Sequence, residues 1–424
     1  MTVTSALYVP TSQLATAMDG SWPGPPPGAD SLPGQLESWL APHGAEMIAL
    51  RRHLHAHPEL SHREYQTAGL VASELSAAGL RPRLLPRANG VICDVGEGDR
   101  MVALRADLDA LPLQEVKDVE YRSTVPGATH ACGHDVHTTV LLWAGRALAR
   151  LAEQGALPGR VRLLFQPAEE AMPSGAPEVI SAGGLKDVAA IFSLHCAPRF
   201  ATGEVGVRSG PFTAATDKVE VTLTGPGGHT ARPQLTVDLV HALGRLVVDV
   251  PALLGRRVDP RAGISMVFGS VHAGEAPNAI PASGTAHGTV RALSREAWRE
   301  APALVTSLIE SVVAGTGARA ETTYTRGVPP VVNDPMATAV IAGAARSALG
   351  PDRVTEAEIS MGGEDFAFYL EHVPGAMIRL GTGIAGAEPM DIHQASFDVD
   401  ERCIGYGVRV MVHTALAALT TDTL

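Results

Sequence analysis

Residues 100–109 read Arg-Met-Val-Ala-Leu-Arg-Ala-Asp-Leu-Asp. An apolar run that stops at paired carboxylates has the form of a buried strand delivering acids to its carboxyl end. Similar runs recur at 160–166 (Arg-Val-Arg-Leu-Leu-Phe-Gln), 189–195 (Ala-Ala-Ile-Phe-Ser-Leu-His) and 376–381 (Ala-Met-Ile-Arg-Leu-Gly). Between the first two lies an Ala- and Leu-rich helical pattern near 137–153. Upstream, apolar spacing predicts helix from Leu36 toward Leu54 and again from Glu64 to Ala78. Buried strands alternating with helices predict an α/β domain with a largely parallel sheet.

Residues 217–328 break that rhythm. A strand (Lys218–Thr224), a helix (236–255), two strands (263–271 and 284–292), a helix (295–314) and a strand (318–326) are predicted in order. That is β-α-β-β-α-β, the ferredoxin-like arrangement. Because α/β sequence resumes near 330, residues 215–328 are expected as an insertion in a catalytic domain built from 35–214 and 329–424. Residues 1–34 contain Gly20-Ser-Trp-Pro-Gly-Pro-Pro-Pro-Gly28, too rich in Pro and Gly to continue helix or strand, and predict a flexible tail.

With 424 residues, 45% hydrophobic and 18% charged, the chain has the composition of a folded globular protein. Its 33 basic against 45 acidic residues give a formal charge of -12, which argues against nucleic-acid or anionic-membrane partners. Four cysteines are too few for a disulfide framework. No run is expected to reach the roughly 18 apolar residues of a membrane span. The first twenty residues lack the pattern of a signal peptide, so a soluble, cytoplasmic protein is expected.

The polar clusters follow the strands. Asp107 and Asp109 follow the first, Glu169-Glu170 the second, His195 closes the third and His393 lies beyond the fourth. His130-Ala-Cys-Gly-His-Asp-Val-His137 precedes a helix and can face the same edge. Cys132 and His134, two apart around a glycine, can turn onto one ion, and Glu170, His195 and His393 would complete a mixed S/N/O set. Such a set suits zinc, with manganese, cobalt or nickel as alternatives. Five ligands exceed the three of a mononuclear catalytic zinc, so two divalent ions per subunit are expected.

Plainer readings compete at each cluster. His195 could be a hydrogen-bonded scaffold residue, Glu169-Glu170 an acidic helix start, and Asp107 and Asp109 turn formers beside Pro112. His53, His55, His57 and His62 form a tract that helical and pre-proline settings scatter, with no acidic group expected to converge on it. Cys93, Cys196 and Cys403 read as small core hydrophobes.

Seven ordered blocks carry a resemblance. They are Leu50-Arg-Arg-His-Leu-His-Ala-His-Pro-Glu-Leu60, Leu104-Arg-Ala-Asp-Leu-Asp-Ala-Leu-Pro112, His130-Ala-Cys-Gly-His-Asp-Val-His-Thr138, Phe165-Gln-Pro-Ala-Glu-Glu170, Gly227-Gly-His229, Ala276-Pro-Asn-Ala-Ile-Pro281 and Met361-Gly-Gly-Glu-Asp-Phe366. From about residue 46 to 413 the chain resembles the dinuclear-metal amidohydrolases that include hippurate hydrolase, indoleacetyl-amino-acid hydrolases and N-acyl-amino-acid amidohydrolases. The resemblance places metal ligands on Cys132, His134, Glu170, His195 and His393, and implies metal-assisted hydrolysis of an N-acyl amino acid. Glu169, beside a ligand but unligated, fits the general base. The resemblance assigns His229 to the tetrahedral oxyanion, and Asn278 and Arg291 are candidate anchors for a substrate carboxylate or backbone. Two departures concern substrate identity: Ala171-Met172-Pro173 follows the paired glutamates where glycines are common, and Gln234 follows Pro233 where a His is common.

Two rival readings are a cysteine hydrolase with Cys132 as nucleophile and an inactive metal-binding homologue. A homodimer is expected through the inserted module. Its second strand, Gly263-Ile-Ser-Met-Val-Phe-Gly-Ser-Val271, is an uncharged edge, whereas the fourth, Ala318-Arg-Ala-Glu-Thr-Thr-Tyr-Thr-Arg326, carries charges that blunt pairing. The resemblance implies that this joined lid carries His229 to the partner's site.

Overall fold

The computed structural model describes residues 32–388 and 390–421. Most of the expected tail lies outside them, but its last residues, 32–34, open the helix Leu32–Leu40. The single helix expected toward Leu54 is instead broken. A 3-10 turn, Ala41–His43, with Pro42 inside it, separates Leu32–Leu40 from Gly44–Ala56. Proline has no N–H to continue the ladder.

The central sheet has eight strands, and its long members lie in the order Val91–Val95, Arg160–Gln166, Met101–Asp107, Ala190–Ala201, Gly375–Gly383. The last four pair in parallel, as the continuous apolar runs predict. Val91–Val95, not anticipated, adds antiparallel to Arg160–Gln166. Both faces are covered. Val102, Leu104, Leu163 and Phe192 face one core with the helices His134–Glu153 and Cys403–Thr420, while Ala103, Leu164, Ile191 and Met377 face another with Phe212 and Phe366. Helix Cys403–Thr420 is long and apolar enough to cross a membrane, which corrects the expectation of no such run. It is 72% buried in the protein, so its apolarity is that of a core helix.

The second sheet runs Ser265–Ala273, Ser283–Arg291, Thr216–Thr224, Arg319–Val328, all antiparallel. Helices Leu239–Arg257 and Arg295–Ala314 cover one face through Leu243, Leu246, Val305 and Leu308 against Val219, Val221 and Leu223. The second and fourth strands are its edges, as the ferredoxin-like order requires. The chain then returns to the central sheet.

Candidate metal centre

The parallel strands end on one row. Asp107 pairs with Gln166 on one side, and on the other side the adjacent strand carries His195, which pairs with Arg379 on the strand beyond. Between Cys132 and His134 the backbone must reverse. Gly133 does this at φ 91°, and a Cβ there would lie 2.7 Å from Cys196 Sγ, so only glycine fits. His393 (φ 64°) and Ala168 (φ 52°) also adopt the left-handed region beside the cluster. Such strain in non-glycine residues concentrates at functional sites.

The sequence-predicted ligands come together. Cys132, His134 and His195 present ligand atoms within 4.8 Å of one another, and so do Cys132, Glu170 and His393. A third such group is His134, Glu169 and Glu170. The plainer readings of Glu169-Glu170 and His195 therefore give way to convergence.

Hydrogen bonds decide which ring nitrogens face inward. His134 Nδ1 donates to the Asp109 carbonyl (2.9 Å), so in the neutral ring Nε2 is the lone-pair atom, buried and without a partner. His195 Nδ1 donates to the Cys196 carbonyl (2.8 Å), leaving Nε2 at 3.5 Å from Cys132 Sγ. Glu170 Oε1 is buried with no hydrogen bond, although His393 Nε2 lies 3.1 Å away. A buried ring nitrogen and a buried carboxylate oxygen left without hydrogen bonds, beside a thiol and a second imidazole, are atoms that a cation would satisfy. The donor set fits a metal site.

His137 is different. Its Nε2 accepts from the Cys196 N–H (2.8 Å), so Nδ1 carries the proton to Asp107 Oδ1 (2.6 Å), and neither nitrogen is left for a metal. Asp107 is further held by Arg105 Nη1 (2.6 Å), whose other nitrogens reach Gln166 (2.9 Å) and Asp365 (2.7 Å). Asp109 accepts both the Glu169 and Glu170 N–H groups (3.1 and 3.0 Å) and the Ser61 hydroxyl (2.7 Å). The two aspartates are thus supports of the ligands, not turn formers. Glu64 Oε1 accepts from the N–H of both His62 (2.9 Å) and Ala168 (2.7 Å), two left-handed residues. Sequence reading passed over Arg105, Glu64 and His137. The one available signal was His137 at i+3 from His134, on the same helix face.

The His tract needs a correction. Acidic groups do converge on His55: Asp135 Oδ2 lies 2.7 Å from Nδ1 and Glu115 Oε1 lies 3.1 Å from Nε2. Arg51 Nε also donates to Asp135 (2.7 Å), so this buried network braces the first turn of the helix His134–Glu153. His53 and His57 merely stack, at 4.5 Å, outside it. Cys93, Cys196 and Cys403 are buried, as expected.

The field around the cluster is acidic. Burial works against a charged His134, yet Asp107 and Asp109 outweigh it and lift the imidazole to about 10. Burial, then Glu364 and Glu170, push the Glu169 carboxyl well up. Burial and the carboxylates of Glu170 and Glu169 also raise the Cys132 thiol, while burial and Arg379 lower His195. That pairing opposes a thiolate–imidazolium couple and is what a dication would reverse.

His229 and Asn278 lie elsewhere. They sit on an exposed ribbon of the second sheet's domain, where Gly228–His229 pairs with Ala279–Ile280. Among the described residues, no hydrogen bond or ion pair joins either side chain to the cluster. Arg291 Nη1 donates to Thr216 Oγ1 (3.1 Å) and to the Met361 carbonyl.

Residues 103–417 match peptidase family M20/M25/M40. An N-acetyl-L-cysteine deacetylase of Bacillus subtilis is 36% identical over 392 residues, covering 91% of this chain and 92% of that protein. IAA-amino acid hydrolase ILR1-like 4 of Arabidopsis thaliana is 36% identical over 377 residues, 88% of this chain and 84% of that one. A Rhodococcus jostii protein provisionally named glutamate–cysteine ligase 2-3 is 48% identical over 368 residues, 87% of this chain, but the chain spans only 46% of that protein's length. Among solved structures, a Bacillus subtilis protein described as a dinuclear metal binding peptidase from the M20 family matches with a TM-score of 0.78. It is 33% identical, over 90% of this chain and 99% of that one.

Proposed function

We propose, proceeding from the fact that the chain belongs to peptidase family M20/M25/M40, that it is a metal-dependent hydrolase of N-acyl amino acids or similar small amides. One observation carries the reading. Cys132, His134, His195, Glu170 and His393 bring their ligand atoms together, with His134 Nε2 and Glu170 Oε1 buried and without a hydrogen bond, beside a second carboxylate, Glu169.

Cys132, His134, Glu170, His195 and His393 would hold two divalent ions, zinc by donor chemistry, with manganese, cobalt and nickel also accepted by this set. When bound, such ions polarise the scissile carbonyl and lower the pKa of water from about 15.7 to about 7. Glu169 then takes the water's proton on a carboxylate oxygen and returns it to the leaving amine. Asp109 fixes the peptide of 169–170 through both N–H groups, which lets the two adjacent carboxylates divide the tasks of base and ligand.

His229 stabilises the oxyanion and Asn278 holds substrate, both from the partner of a homodimer joined through the inserted lid. Their exposure, with local contacts alone among the described residues, supports that reading. So does the edge strand Ser265–Ala273, which leaves Val267 63% and Val271 45% exposed.

The test is elemental analysis with turnover of acetyl and aroyl amino acids before and after chelation. Two equivalents of metal and chelator-sensitive hydrolysis are expected. Turnover that ignores chelators but dies on thiol alkylation would favour Cys132 as nucleophile instead. Bound metal without hydrolysis of any N-acyl amino acid would mark an inactive homologue.

A further inference from the structure

Arg379, a partly buried cation of the central sheet, stands apart from the fully buried Arg105 of that sheet and Arg51 of the helix Gly44–Ala56. Arg105 and Arg51 each meet several carboxylates: Asp107, Glu364 and Asp365 for the first, Asp135, Asp398 and Glu401 for the second. Arg379 meets none. Among the described residues its side chain makes no hydrogen bond and no ion pair, and its one recorded contact is the Phe212 ring, 4.7 Å from the guanidinium carbon. A guanidinium carries five N–H donors in a flat fork, and a partly buried one without a protein acceptor is open to an anionic partner.

Its position says what should meet them. Arg379 is the register partner of His195 on the adjacent parallel strand, so the two side chains rise on the same face about 4.8 Å apart at the backbone. Phe212, beneath the guanidinium, belongs to the segment that leads into the second sheet. The fork therefore lies between the ligand cluster and the crevice under the lid. Glu364 and Cys132 both act on its charge from within this space.

We infer that Arg379 is the residue that receives the α-carboxylate of the substrate. The inference rests on the proposed hydrolysis of N-acyl amino acids and names the group that selects them. In such a substrate a single carbon separates the amide nitrogen from the carboxylate. A cation serving it must therefore stand within one strand spacing of the metal ligands. Arg379 meets that condition. Arg291, the cation suggested by sequence, has a donor committed to Thr216 and to the Met361 carbonyl, and so serves to tie the lid strand to the 361–364 loop. A planar fork matches a carboxylate bidentately, and Phe212 holds the fork's plane by stacking.

The experiment compares N-acetyl-L-methionine with its carboxamide on the metal-loaded enzyme, methionine being chosen because a cysteine thiol would itself bind metal. Arg379→Met should raise KM for the acid by about 10- to 100-fold, the loss of a charge-assisted pair, and change the amide less than 3-fold. Arg379→Lys should recover part of the difference, because it keeps charge but not the fork. Metal content should stay at the wild-type level in both variants. Arg291→Met should shift acid and amide by the same factor.

Calorimetric binding of acid and amide to wild type and Arg379→Met is measured alongside turnover. If wild type hydrolyses neither compound but binds the acid more tightly, and Arg379→Met removes that preference, the carboxylate site stands and the hydrolase reading falls. If Arg379→Met weakens acid and amide alike, or costs metal, Arg379 is a structural counter-charge and the inference is overturned.

Discussion

The crevice of the central sheet and the exposed ribbon of the second sheet's domain are built on opposite plans. In the crevice, His134, His195 and the paired glutamates are fixed from behind by buried partners. Asp109 holds His134 and the 169–170 peptide, and the Cys196 backbone orients both His195 and His137. On the ribbon, His229 and Asn278 are exposed, and the contacts that hold them are local: the Ala231 N–H donates to His229 Nδ1, and Thr230 N–H to the Asn278 carbonyl. The contrast teaches that the crevice holds most of its candidate ligands in place through buried hydrogen bonds, while the ribbon's polar side chains are held only by their immediate neighbours and face solvent. Preorganised donors cost nothing to arrange during reaction.

The largest effect should come from within the crevice. Glu169→Gln keeps the shape of the side chain but cannot accept a proton, so kcat should fall by about 10²–10⁴-fold with metal content intact. Elemental analysis beside kinetics checks it; metal lost together with activity would make Glu169 a ligand. Glu170→Gln should behave oppositely and lose metal first.

His229→Ala probes the other side of the comparison, with an expected loss of about 10²–10³-fold, the usual effect of one oxyanion donor. Mixing inactive Glu169→Ala with inactive His229→Ala under subunit exchange should restore activity, since each heterodimer then holds one intact site. A mixture that stays dead would place His229 in its own subunit's site and remove the contrast between the regions.

A support residue should matter less than either. Asp109→Asn leaves one oxygen where two carboxylate oxygens serve Ser61 and the Glu169 and Glu170 N–H groups, and its amide N–H₂ faces donors. Metal affinity should drop by about 10–100-fold, measured by competition with a chelator of known strength. An unchanged affinity would mean that the crevice is less dependent on its backing than the hydrogen bonds imply.

The smallest effect lies at a helix cap under the second sheet. Asp238 accepts from the His241 N–H at 3.1 Å at the start of Leu239–Arg257. Asp238→Ala should lower stability by about 1 kcal/mol in denaturant unfolding and leave metal content untouched. Loss of metal on this change would show that the two regions fold as one coupled unit.

What the sequence determined by itself is what local pattern and order can encode. Continuous apolar runs ending in acids or imidazole placed the parallel strands and their carboxyl-end chemistry. Period-two and period-3.6 patterns in the order β-α-β-β-α-β gave the second sheet with its edges, because that order admits few antiparallel arrangements. Seven blocks pointed to five ligands that the fold then gathered. Local pattern did not reveal Val91–Val95, whose short run between Gly90 and Gly96 becomes a strand only when Arg160–Gln166 offers it an edge. Nor could it show that both His137 nitrogens are committed to hydrogen bonds, that Asp135 and Glu115 close on His55, or that Arg105 reaches Asp365 across 260 positions of chain. These depend on which nitrogen finds a donor and which charge finds a partner once distant segments share one dry space. Only tertiary structure decides that, because a hydrogen bond is fixed by direction and distance, and spacing along a chain specifies neither.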